Sequence, residues 1–201
     1  MKLNKVLALA LSGVMAVSML AGCSGNSGNG GQGGEEPPVA DTTIASVLNE
    51  EQADTNHEVK IDFTYSSSLE AALQKTLGVT GAIAGADVDD YLANVLGVDD
   101  INMDKFCGYS NSGVNEVGEQ TAVFVYSYND GKTDTGIAKD VYKNHLDSAL
   151  ANLTTEWTNA NVKWSFSYTG DVAMSKVEKD NQTYTYIAFV MTCNTTKALA
   201  D

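Results

Sequence analysis

From Val59 onward the chain alternates apolar and polar residues, first with one period and then with another. Val59, Ile61, Phe63 and Tyr65 are separated by Lys60, Asp62 and Thr64. A period of two predicts a half-buried strand. Ser67-x-x-Glu70 then has the form of a capping box, and Leu69, Ala72, Leu73 and Leu77 follow at helical spacing as far as Gly78. Val88, Tyr91, Leu92, Val95 and Leu96 predict a second helix, from about Asp87 to Gly97. Both helices finish Leu-Gly-Val, the residues a Schellman cap requires.

Residues Thr121 to Tyr128 are apolar on both faces, which predicts a central strand. Asn129-Asp130-Gly131 turns the chain into a long helix from about Thr135 to Leu153. Its stripe is Ala138, Tyr142, Leu146, Ala149 and Leu153, widened by Leu150. In the last third Val162, Trp164, Phe166 and Tyr168 alternate with Lys163, Ser165 and Ser167. Gly170-Asp171 and Asp180-Asn181 read as tight turns, and Tyr184 to Cys193 as a long apolar strand. Strands joined by short turns form an antiparallel sheet. The expected class is therefore α+β: an antiparallel sheet ending in a C-terminal meander, with helices packed on one face.

The first forty residues obey a different rule. Lys2 and Lys5 precede an apolar run from Val6 to Leu20, and Leu20-Ala21-Gly22-Cys23 closes it. That is the order of a secretory signal: basic, apolar, then small residues at a cleavage point. The run is fifteen residues, short of the roughly 20 that span a bilayer core. The tetrapeptide resembles the lipobox of bacterial lipoproteins, which implies that residues 1–22 are removed and that the Cys23 sulfur carries a diacylglyceryl anchor. Two acyl chains suffice for stable attachment where one gives only marginal binding. The implied location is the outer side of the cell membrane.

Residues 23–38 are Gly, Ser, Asn and Gln, closed by Glu35, Glu36, Pro37 and Pro38, with no large apolar side chain. Such a segment cannot bury a core and reads as a flexible tether. Residues 39–201 then form one globular domain of ordinary size. The arrangement of its last half, Glu116 to Thr192, resembles the small uncharacterised domains carried by Gram-positive lipoproteins. That resemblance implies no activity and no site residue.

Charge narrows the partners. Beyond Cys23 there are 10 lysines against 26 acids and no arginine. Nucleic acid is excluded on this balance, because its binding depends on neutralising phosphates. Cys107 and Cys193 form no CxxC pair and have no histidine at metal spacing. Outside the cytoplasm they are open to a disulfide, or to life as two buried thiols. Asp100-x-Asn102-x-Asp104 opens like a calcium loop but has Lys105 and Asn111 where the loop needs Gly and a bidentate acid. No metal and no cofactor is expected.

His57 and His145 belong to no catalytic motif and read as surface or helix-border residues. Gly81-Ala82-Ile83-Ala84-Gly85-Ala86 lacks the lysine of a phosphate loop and reads as a tightly packed connection. The remaining constellation is aromatic: Tyr126, Tyr128, Tyr168, Tyr184 and Tyr186 all fall in expected strands. In phase on an open face they would make a platform for glycan or peptide; under helices they would simply pack. The sequence thus favours a membrane-anchored, non-enzymatic binding module whose partner is a cell-wall glycan, a peptide or a membrane protein. The alternative is a small extracytoplasmic hydrolase working on glycans through carboxylates or His57.

Overall fold

The computed structural model describes residues 43–99, 102–109 and 117–200. The expectations for the signal segment, Cys23 and the tether lie outside the described residues, as does Asp100. The element order is α1 (Thr43–Ala53), β1 (Phe63–Tyr65), α2 (Ser67–Thr80), α3 (Gly85–Leu96), a 3-10 turn (Met103–Lys105), β2 (Gly118–Tyr128), α4 (Asp134–Val141), a π turn (Tyr142–Leu146), α5 (Asp147–Leu150), β3 (Glu156–Asn159), β4 (Val162–Lys179) and β5 (Gln182–Leu199).

The sheet runs β1-β4-β5-β2, with β3 pairing a different stretch of β4. Every pairing is antiparallel except β1 with β4. The class is α+β, as expected. Its spine is the β4–β5 hairpin, paired without interruption from Val162↔Leu199 to Lys179↔Gln182. Asp180 and Asn181 turn it, both at positive φ (51° and 60°). Two such residues give the turn whose twist matches the strands.

Gly170-Asp171 is not a turn. Both residues lie inside β4, paired with Met191 and Val190. A Cβ on Gly170 would sit 2.6 Å from the Phe63 ring and 2.8 Å from Ile61 Cγ2. The glycine therefore marks the place where β1 crosses closely, the other meaning of glycine within a strand pattern.

Alternation along the strands sends side chains to two cores. Ile187, Phe189 and Met191 of β5 join Ile44 and Leu48 of α1, Ile61, Phe63, Ile137, Val141 and Leu146. Tyr186 and Ala188 join Leu69, Leu73 and Leu77 of α2 with Val88 and Leu92 of α3. Helices thus cover both faces of the sheet, where the sequence suggested one. This also corrects β2: its two apolar faces reflect two helical layers, not a central position, since β2 ends the strand order.

Both boundaries of α2 shift for identifiable reasons. Helix α2 is capped by Ser66, whose hydroxyl accepts from Leu69 N at 3.3 Å, so Glu70 does not complete the expected box. The helix runs through Gly78 and ends at Gly81, whose N–H reaches Leu77 O. The Schellman cap forms only at Gly97 (φ 71°), where Val98 N donates to Ala93 O. Helix α1 is an element the sequence reading did not assign: Ile44, Val47 and Leu48 have helical spacing, but the next core position is Gln52.

Candidate functional site

The five tyrosines do not share one face. Tyr126, Tyr128 and Tyr168 point to the α1/α4 side and Tyr184 and Tyr186 to the α2/α3 side. Tyr186 is fully buried and donates to Ile83 O at 2.7 Å. The Tyr168 hydroxyl lies between the carbonyls of Thr154 (2.8 Å) and Cys107 (3.2 Å), and burial pushes its pKa up. Tyr184 donates to Gln182 on the hairpin surface. Two of the five are therefore committed to backbone carbonyls through part-buried hydrogen bonds, and the five do not form one platform on a shared face.

What the fold assembles instead is a cleft at the outer side of β2, around Tyr126. Its first wall is the start of α3. A Cβ at Gly85 would meet Val125 O at 2.5 Å and Ser127 N at 2.9 Å, so only glycine seats the helix this closely on the strand. Gly85 N also donates to Ser127 Oγ at 3.2 Å. The small-residue segment Gly81 to Ala86 was expected to pack tightly, and the contact at Gly85 is such packing. One helical turn on, the part-buried Asp89 also lines the cleft.

The second wall is the π turn. At Asp147 the helical hydrogen bond reaches back to Tyr142 O, the wider spacing that distinguishes a π turn from an α-helix. His145, inside this turn, lies flat on Tyr126, with ring centroids 4.1 Å apart and planes 18° apart. Tyr126 in turn sets its edge against Phe189 of the core, at 6.2 Å. The resulting cleft is about 440 Å³ and is lined by Ala84, Gly85, Asp89, Phe124, Tyr126 and His145, with Val125 and Ser127.

Desolvation is the first cause of the shifts at both titratable rings of the cleft, although His145 itself is solvent-exposed. Desolvation lowers the His145 pKa, so the imidazole is neutral at neutral pH. Burial first, then Tyr128 and Asp89, push the Tyr126 phenol up to about 12. The cleft therefore combines aromatic side chains and a neutral imidazole with one carboxylate in its lining.

Of the two histidines read as surface or helix-border residues, His145 is exposed on its helical turn as expected, whereas His57 is part-buried. Its side chain is 17 % exposed and its Nε2 lies 2.7 Å from Asp147 Oδ1, which also accepts from the Tyr142 hydroxyl at 3.2 Å. A histidine held by a carboxylate is the base half of a hydrolytic triad. Here the pair ties the segment before β1 to α5, and neither residue lines the Tyr126 cleft.

Cys107 and Cys193 are bonded to each other, with Cα atoms 6.2 Å apart and both residues fully buried. The two tryptophans face each other across β3 and β4 (Trp157↔Trp164), and Lys197 Nζ stands 5.5 Å over the Trp164 ring. Trp157 is 40 % exposed. Among the described residues, no three His, Cys, Asp or Glu side chains are grouped so as to hold a metal ion.

Of the cleft residues, only Tyr126 was singled out as a ligand-binding candidate from sequence. Phe124 was readable as its in-phase neighbour on β2. Nothing local in sequence sets Asp89 and His145 beside them. Comparison with protein-family models, with curated proteins and with solved structures finds no match to this chain.

Proposed function

We propose that the chain is a lipid-anchored extracytoplasmic binding protein, and that the Tyr126 cleft is where it holds its ligand. The observation that carries this reading is the convergence of Phe124, Tyr126, His145 and Asp89, from a strand, a π turn and a helix, on one open concavity. Such an apolar cleft with a few converging polar groups is the usual form of a small-ligand site. The fully buried Cys107–Cys193 bond supports an oxidising location. The lipobox-like Leu20-Ala21-Gly22-Cys23 supports an anchor at Cys23.

The test has two parts. Cys23→Ser should release the protein from the membrane fraction and abolish incorporation of labelled fatty acid; retention and labelling would refute the anchor. Thermal melting of the purified chain against wall fragments, oligosaccharides and peptides should give a raised midpoint that Phe124→Ala removes. A ligand at a hundred times its Kd adds about 2.7 kcal/mol. A rise that Phe124→Ala leaves unchanged would place binding elsewhere.

A further inference from the structure

We infer that the Tyr126 cleft recognises an organic cation, an alkylammonium or guanidinium group displayed on a larger ligand. This rests on the cleft being the binding site, and goes further by naming the chemistry of the group it takes.

Three observations lead there. First, Phe124 and Tyr126 both line the cleft and no lysine does. Aromatic faces attract cations through the ring quadrupole, most strongly where water is excluded. Second, the charged residue in the lining is an acid, Asp89. Its Oδ1 accepts the Asp90 N–H at 2.8 Å, and a cation in the cleft adds an attraction for the carboxylate that an apolar guest cannot supply. Third, the whole chain carries a formal charge of −14. A surplus of this sign concentrates cations near a cleft and repels anions.

Competing ligand classes fit less well. An anion meets Asp89 and the overall field. A neutral sugar needs several hydrogen-bonding groups around its hydroxyls; the polar side chains lining the cleft are Asp89, Ser127, His145 and the Tyr126 hydroxyl, and only Asp89 among them carries a charge at neutral pH, which a sugar does not compensate. Ser127 Oγ already accepts the Gly85 N–H. The imidazole stacked on Tyr126 is solvent-exposed, and partial desolvation lowers its pKa, so it places no positive charge on the cleft wall at neutral pH.

The experiment is calorimetric titration of the purified chain with choline and with 3,3-dimethylbutanol, which has the same shape and no charge, alongside a neutral disaccharide. Choline should bind about fivefold or more tightly than its neutral twin, the span of a cation–π contact with a nearby carboxylate. Asp89→Asn should weaken choline by about fivefold and leave dimethylbutanol unchanged. Phe124→Leu, which keeps an apolar side chain and removes the ring, should weaken choline more than its twin. Equal affinity for the two probes would overturn the cation assignment and leave the cleft standing as an apolar or glycan site. Absence of Phe124-dependent binding by choline, dimethylbutanol and disaccharide alike would overturn the cleft reading itself.

Discussion

Gln52 uses its side-chain amide as a piece of β-strand: Oε1 accepts from Ile61 N at 2.9 Å, and Nε2 donates to Ile61 O at 2.9 Å. One turn earlier on α1, Asn49 treats Phe63 in the same way, at 2.9 and 3.0 Å. Two amides three positions apart on a helix thus satisfy two backbone positions two residues apart on an extended segment. β1 has β4 on one side; on the other side α1 stands in for a missing strand. This explains why the core stripe of α1 contains a glutamine that is only 2 % exposed.

Removing that amide leaves a buried N–H and C=O without partners, at about 1–3 kcal/mol for each unsatisfied group. Gln52→Ala is accordingly expected to lower stability by about 3 kcal/mol, read as a lower urea midpoint at unchanged m-value. A loss under about 0.5 kcal/mol would show that water replaces the amide without cost.

Gly78 offers a change of the opposite sign. It lies in the interior of α2, and a Cβ there would meet nothing within 4 Å. Gly78→Ala should therefore stabilise the domain by about 0.5–1 kcal/mol through helix propensity alone. A destabilised variant would mean that the C-terminal turn of α2 is not helical in solution.

These two residues also show how much of the fold the sequence carries. Periodicity located β1, β2, β4 and β5, helices α2 and α3, and the helical stretch after Thr135, which the structure divides into α4, the π turn and α5. The all-exposed β3 was missed because it carries no buried face. The error at Gly78 arose because a glycine two residues before a helix end reads like a cap. α1 was unassigned because its last core residue is polar, and its role depends on Ile61, nine positions away. The site was still less legible. Phe124 and Tyr126 are visible as strand neighbours, but Asp89 and His145 arrive through the Gly85 contact and the π turn, both tertiary events.

The disulfide closes a separation of 86 residues. Restricting the unfolded chain over such a loop contributes about 4.6 kcal/mol in the loop-entropy account. Dithiothreitol, or Cys193→Ser, should lower the melting midpoint strongly, while the hairpin turn at Asp180-Asn181 is untouched. An unchanged midpoint under reducing conditions would argue that the two cysteines do not cross-link the native protein.

Stability should fall in acid through identifiable groups. Glu58 accepts from Thr155 N (2.7 Å) and from the Thr155 and Thr154 hydroxyls, and the Thr155 hydroxyl bond is the main cause of its lowered pKa. Its contribution is present above the ordinary carboxyl value of 4.5 and is lost as pH drops through the lower folded value. His145 acts in the same direction at higher pH: its folded pKa is lowered, so stability declines as pH falls below 6.5 toward that value. Urea titrations across pH should show both limbs. Glu58→Gln should flatten the lower one and His145→Gln the upper one. A limb unchanged by its substitution would assign it to other groups.

The measurement that bears most directly on the account is a map of amide shift changes as a cationic ligand is added to the isotopically labelled chain. Saturable shifts confined to Gly85, Asp89, Phe124, Tyr126 and His145, with Trp157 and Trp164 silent, are the result expected. Shifts centred on Trp157 and Trp164, or growing linearly over scattered acidic residues, would contradict it and move the binding surface to the exposed ribbon or to the general charge of the chain.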